Sequence, residues 1–207
     1  MLDPKAYALI LQFEVGGGAF YYNRFLSRPT VPGVDSGVTI GIGYDLGYVT
    51  APQFTRHWSG FLDGADMARL SRACGLICGQ ARAALKGLRH ICVPWSAAKS
   101  VFNRRTLPHF EEITRQTFPG AEKLPPPVYG ALVSLVFNRG GSLNGPRRAE
   151  MRRIRDHVLS QNIPAIAREL RAMKRLWPEK TAPGLIARRE AEAQLVQSAA
   201  NGGNKTS

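Results

Sequence analysis

The stretch that decides the fold is Ser36 to Tyr48, SGVTIGIGYDLGY. In it β-branched Val38, Thr39, Ile40 and Ile42 are interleaved with Gly37, Gly41, Gly43 and Gly47, a composition that favours extended backbone punctuated by tight turns. The reading is a small glycine-rich hairpin. Glycines inside strands mark bulges or places where another backbone or a ligand comes close. The hairpin therefore reads either as a floor for a substrate or as a merely tight turn.

Outward from the hairpin the pattern becomes helical on both sides. Upstream, Tyr7, Ile10 and Leu11 recur at helical spacing, Asp3 followed by Pro4 resembles an N-cap with proline at the first helical position, and Gly16 to Gly18 stop the element. The spacing predicts a helix from Pro4 to Glu14. Glu14 then sits on the last turn, where the negative helix end favours the protonated form of a carboxyl group. Downstream of Pro52, glycines and prolines divide the chain into six or more helices. VYGALVSLVF, within Pro127 to Phe137, is apolar nearly all round and reads as a buried central helix. Glu150 to Ser160 and Ala165 to Leu176 read as amphipathic cationic helices, and Gly184 to Gln197 as a last helix of alternating charge. The fold class is α+β, mainly helical. The expected organisation is one domain over residues 1–198, with 199–207 an unstructured tail.

Composition narrows what such a fold does. The chain has 207 residues with 28 Lys and Arg against 15 Asp and Glu, a net charge of +13. Its pI near 10.3 points to a polyanionic partner or place of work: nucleic acid, an acidic membrane surface or an anionic cell wall. Six arginines fall between Arg139 and Arg155, either a solvated helix face or a docking patch. No apolar run approaches the roughly 18 to 20 residues of a membrane-spanning helix, and no secretion signal is expected from the first residues. Cys74, Cys78 and Cys92 form an odd set, read as reduced thiols, and no histidine stands at zinc-ligand spacing beside them.

Carboxylates are scarce, and three stand apart from the arginine-rich helices: Glu14, Asp35 and Asp45, with polar Thr39 between the two aspartates. A helix ending in Glu14, the hairpin TIGIGYDLG over Thr39 to Gly47, FNRG over Phe137 to Gly140 and GLIARREAEAQL over Gly184 to Leu195 together resemble the phage-type lysozymes. Within that superfamily the block with aspartate directly after GIGY most resembles pesticin-like muramidase domains. The resemblance runs from Glu14 to Leu195.

That resemblance implies a lysozyme-like fold, with the hairpin beside an active-site cleft and a helical bundle. It implies a peptidoglycan hydrolase cutting the β-1,4 bond between N-acetylmuramic acid and N-acetylglucosamine, with neither cofactor nor metal. Glu14 takes the place of the catalytic glutamate, Thr39 of the threonine and Asp45 of the second carboxylate. Asp35, four positions before Thr39, competes with Asp45, because in ordinary phage enzymes the aspartate precedes the threonine. In glycoside hydrolysis one carboxyl group donates a proton to the leaving oxygen while a second manages a water, with inversion where the two stand well apart. Asp45, on a more open hairpin, is expected to stay ionised, and inversion is expected of the product. Tyr44 is a candidate for stacking on a sugar, or else a packed hairpin aromatic. Asn138 is a candidate for bonding an acetamido group, or else a helix-end amide. Arg188 and Arg189 read as surface residues of the final helix that otherwise orient Glu14. The same resemblance implies a monomer made in the cytoplasm without a signal peptide, reaching the wall in the periplasm or outside by holin release or injection, with an immunity protein or secretion machinery as partner. Two other readings stand beside it: a cationic binder of nucleic acid or membrane on an inactive lysozyme scaffold, and a lytic transglycosylase.

Overall fold

A computed structural model describes residues 2–202, which fall into two compact units. One is built from Glu14–Pro108, the other from the chain on either side of it. The class is α+β, mainly helical, with a single two-stranded antiparallel sheet among the described residues. No helix among them is long and apolar enough to cross a membrane.

Helix α1 spans Pro4–Val15. Its start is the expected one: the Asp3 carboxylate accepts from the main-chain N–H groups of Lys5 and Ala6 at 2.9 and 3.1 Å, satisfying donors that a helix N-terminus otherwise leaves orphaned. Its end is equally local. Gly16 and Gly17 follow with φ of +58° and +85°, a conformation L-residues with side chains rarely adopt.

The Glu14–Pro108 unit continues with the short helix α2 (Ala19–Tyr21), running into a π-helical turn over Tyr22–Leu26, and then the hairpin. Strand β1 (Thr39–Ile40) pairs with β2 (Tyr44–Asp45), Thr39 opposite Asp45 and Ile40 opposite Tyr44. Burial alternates along the segment with period two. Val38, Ile40, Ile42, Tyr44 and Leu46 are all buried, while Thr39, Gly41, Gly43 and Asp45 lie at least partly in solvent. In the paired strands Ile40 and Tyr44 thus share the core face, and Thr39 and Asp45 the opposite one. Each buried aliphatic side chain stabilises the unit by roughly 1.5–3 kcal/mol. Helices α3 (Ala51–Trp58), α4 (Gly64–Ser71), α5 (Cys78–Leu85) and α6 (Trp95–Val101) complete the unit, with Phe54, Trp58, Leu70 and Ala81 facing inward. Thr50 and Gln53 close a capping box on α3, and Asp63 caps α4.

In the other unit, which the chain re-enters at His109 within α7 (Leu107–Thr117), α8 (Pro126–Arg139) follows, and its residues Val128 and Gly130 through Val136 are all buried, as its apolar composition predicts. Gly130 is there for space: a Cβ on it would stand 2.2 Å from the Ala6 Cβ. Helices α9 (Ala149–Leu159) and α10 (Ile163–Ala172) pack on one another, and α11 (Pro183–Gly202) packs on both α8 and α10. The last helix outruns its expected end. Residues 199–202, expected in the tail, are helical because Ala199 and Ala200 are strong helix formers, and the Ser198 hydroxyl bonds back to the Leu195 carbonyl at 2.8 Å. The rest of the expected tail, 203–207, lies outside the described residues.

Candidate active site

Glu14, Thr39 and Asp45 belong to the same compact unit. Glu14 is half-buried on the last turn of α1, ahead of the glycine break. Thr39 and Asp45 are brought together by the hairpin as directly opposed residues, which places their Cβ atoms roughly 5 Å apart on one face. That face is the one turned away from the core. The Thr39 hydroxyl is buried and has no hydrogen-bond partner among the described residues, whereas its main chain bonds Thr30 in both directions at 3.0 and 2.7 Å. An unsatisfied buried hydroxyl costs about 1–3 kcal/mol; Thr106 Oγ1 is in the same state.

Asp45 is not on open ground, contrary to the expectation. Its Oδ1 accepts from the Gly47 N–H at 2.8 Å and its Oδ2 from the Gly37 N–H at 3.2 Å. Burial pushes its carboxyl above the ordinary aspartate value, and the two amides only partly oppose that. The glycines make this clamp possible. A Cβ on Gly37 would lie 2.3 Å from the Gly47 nitrogen and 2.4 Å from Asp45 Oδ1, and one on Gly47 would lie 2.8 Å from the Gly37 Cα. The close approach that the glycines advertised is therefore backbone against backbone around a carboxylate. Asp35, the competing carboxylate, is exposed; its main-chain oxygen accepts from the Tyr48 hydroxyl at 2.9 Å, and its side chain has no bond or ion pair among the described residues.

Tyr44 is a packed hairpin aromatic, not a stacking platform. It is 6% exposed, with its ring edge-on to Trp58 and its hydroxyl sharing a 2.7 Å hydrogen bond with His57 Nδ1. No ring face is left for a sugar. Burial raises the Tyr44 phenol, and burial followed by Arg105 and Arg56 lowers the His57 imidazole, so the pair stays neutral near pH 7. A histidine in a helix pattern carries no signal in the sequence of the tyrosine it meets.

Asn138 lies in the other unit, half-buried on the last turn of α8, where it lines a cavity of about 330 Å³ with Arg139, Arg147, Arg148, Trp177 and Leu185. The surface reading of Arg188 and Arg189 is overturned as well. They are 3% and 0% exposed and gather with Ser134 around the fully buried Glu192. Glu192 Oε1 accepts from the Ser134 hydroxyl at 2.6 Å, Arg189 Nη2 at 2.8 Å and Arg188 Nε at 3.4 Å. A buried charge needs such partners, and the spacing of Glu192 three and four residues after the arginines was the available sign. Cys74, Cys78 and Cys92 are free thiols, and no cluster of three metal-ligating side chains occurs among the described residues. No family model matches this chain, and no curated relative matches it.

Proposed function

We propose that the protein is a glycoside hydrolase of muramidase type, cutting the β-1,4 bond between N-acetylmuramic acid and N-acetylglucosamine, on a lysozyme-like fold. The observation that carries this reading is the register of Thr39 against Asp45 on the face of the hairpin turned from the core, in the unit that also holds Glu14 at a helix carboxyl end. Glu14 donates its proton to the leaving glycosidic oxygen. Asp45 takes a proton from a water that Thr39 orients, and that water attacks the anomeric carbon from the opposite side, with inversion. Each Asp45 oxygen already accepts one amide but keeps a second lone pair. Burial, by raising its carboxyl, makes it a stronger base. The excess of positive charge draws the enzyme to anionic walls, an attraction that weakens as salt rises.

The free, exposed carboxylate of Asp35 supports a second assignment, in which Asp35 is the base and Asp45 only fixes the hairpin. The test is turbidity loss of purified cell walls. Glu14→Gln is expected to lower the rate by about 10²–10⁴-fold with the fold retained. Undiminished lysis would leave the cationic helices as the active element, and anhydromuramic ends in the products would make the enzyme a transglycosylase. Asp45→Asn and Asp35→Asn, assayed side by side, identify the base as the one whose loss lowers the rate without lowering stability.

A further inference from the structure

The cavity in the unit outside Glu14–Pro108 is lined by three guanidinium groups and, among the described residues, by no acid. Arg139 reaches it from the last turn of α8, and Arg147 and Arg148 from the turn preceding α9. None of the three is ion-paired to a carboxylate among the described residues, although other arginines nearby are: Arg153 pairs with Glu169 and Arg175 with Glu150. The three are instead held in place through neutral contacts. Arg139 Nη2 donates to the Arg147 carbonyl at 2.6 Å, its guanidinium lies 5.0 Å from the centre of the Trp177 ring, Arg147 Nη2 donates to the Leu176 carbonyl at 3.0 Å, and Arg148 Nη1 donates to Met151 Sδ at 3.2 Å. Arg139 Nε is buried without a partner. Burial, then Arg148, Arg189 and Arg147, push Arg139 down to about 10, with Glu150 opposing only weakly. Burial and then Arg147 lower Arg148 as well. Arg139 and Arg148, partly desolvated beside the exposed Arg147, are like charges that Glu150 relieves only in part, an arrangement that is costly unless an anion joins them.

We infer that this cavity, lined by Arg139, Arg147 and Arg148, is a binding site for a phosphate group. A carboxylate offers two oxygens, which one guanidinium fork satisfies; a tetrahedral phosphate offers three or four and matches several forks at once. The Asn138 amide adds a neutral donor, and Trp177 and Leu185 give an apolar wall for whatever organic group carries the phosphate. The site shares Asn138 with the candidate sugar contacts of the hydrolase reading but uses none of Glu14, Thr39 or Asp45.

The test is calorimetric titration of the full-length protein at constant ionic strength and neutral pH, with no wall substrate present, so its outcome is separate from that of the lysis assay. The probes are inorganic phosphate, standing for a monoester, and dimethyl phosphate, standing for a diester; acetate stands for a carboxylate. Saturable binding of one phosphate probe, tighter than acetate, is expected, and the tighter of the two phosphates identifies the source. Arg148→Gln and, separately, Arg147→Gln are each expected to weaken it by about tenfold, with melting curves confirming the fold. Arg82→Gln, an exposed cation of the other unit, is expected to leave it unchanged. Acetate binding as tightly as phosphate, an equal loss in Arg82→Gln, or no loss in either cavity variant would overturn the assignment.

Discussion

Asp45 in the Glu14–Pro108 unit and Glu192 in the other are both carboxylates drawn out of water, yet they are held by opposite means, Asp45 through both oxygens and Glu192 through Oε1 alone, its Oε2 being buried without a hydrogen-bond partner among the described residues. Asp45 is held by two neutral main-chain amides, and Glu192 by two guanidinium groups and a hydroxyl. Amides give geometry without cancelling charge. They tie residues 37 and 47 together and leave burial to raise the acid. Guanidinium groups cancel charge and let the site close completely, so that Glu192 and Arg189 are each 0% exposed. The first arrangement keeps a carboxylate reactive; the second turns one into structure.

The sharpest way to break this comparison is Glu192→Ala. It leaves the fully buried Arg189 guanidinium in the core without its carboxylate, and a loss of about 4 kcal/mol in urea unfolding is expected. A loss below about 1 kcal/mol would mean that the guanidinium groups reach solvent or other partners, and that Glu192 is not the anchor described. Gly37→Ala comes next. The added methyl meets Gly47 backbone at 2.3 Å and Asp45 Oδ1 at 2.4 Å, with no flexible side chain to yield on the Gly47 side, so about 3 kcal/mol is expected. Gly64→Ala serves as its control. It sits at the start of α4 with nothing within 4 Å of the added atom, and should be neutral or stabilising by a few tenths of a kcal/mol. Equal melting temperatures for the two alanine variants would remove the amide clamp from the account.

Much of this contrast was legible in the sequence, and for stated reasons. The hairpin follows from Val38, Ile40 and Ile42 alternating with glycines, since period two and β-branching act locally. The start of α1 follows from Asp3 and Pro4, and its end from Gly16, because caps and stops are also local. Asp45 itself was found, but its environment was not. That environment depends on Gly37 and Gly47, ten residues apart, meeting face to face, and only the folded backbone brings them together. Arg188 and Arg189 were misplaced for the same reason. Adjacent arginines on a helix suggest a solvated surface until a buried carboxylate and the Ser134 hydroxyl of another helix are seen to receive them. The arginines of 139–155 likewise look uniform in sequence. Folding sorts them into ion-paired Arg153, loop-bracing Arg152, exposed Arg155, and the three that share a cavity.

The smallest expected effect is also the most direct reading of what separates the two carboxylates. Burial raises Asp45 above its unfolded value near 3.8, so between that value and the folded one the native state binds more protons than the unfolded chain. Stability contributed by this group is therefore complete below about 3.8 and is lost as pH rises through the folded value. Asparagine at 45 does not titrate, keeps one oxygen for an amide and carries no charge to desolvate. Measured by urea unfolding from acid to neutral pH, the stability of Asp45→Asn relative to wild type should move in the variant's favour as pH rises. The other carboxylates cancel in that difference. Movement in the opposite direction would mean that the Gly37 and Gly47 amides outweigh burial, so that Asp45 is held as firmly in its charged form by neutral dipoles as Glu192 is by arginine.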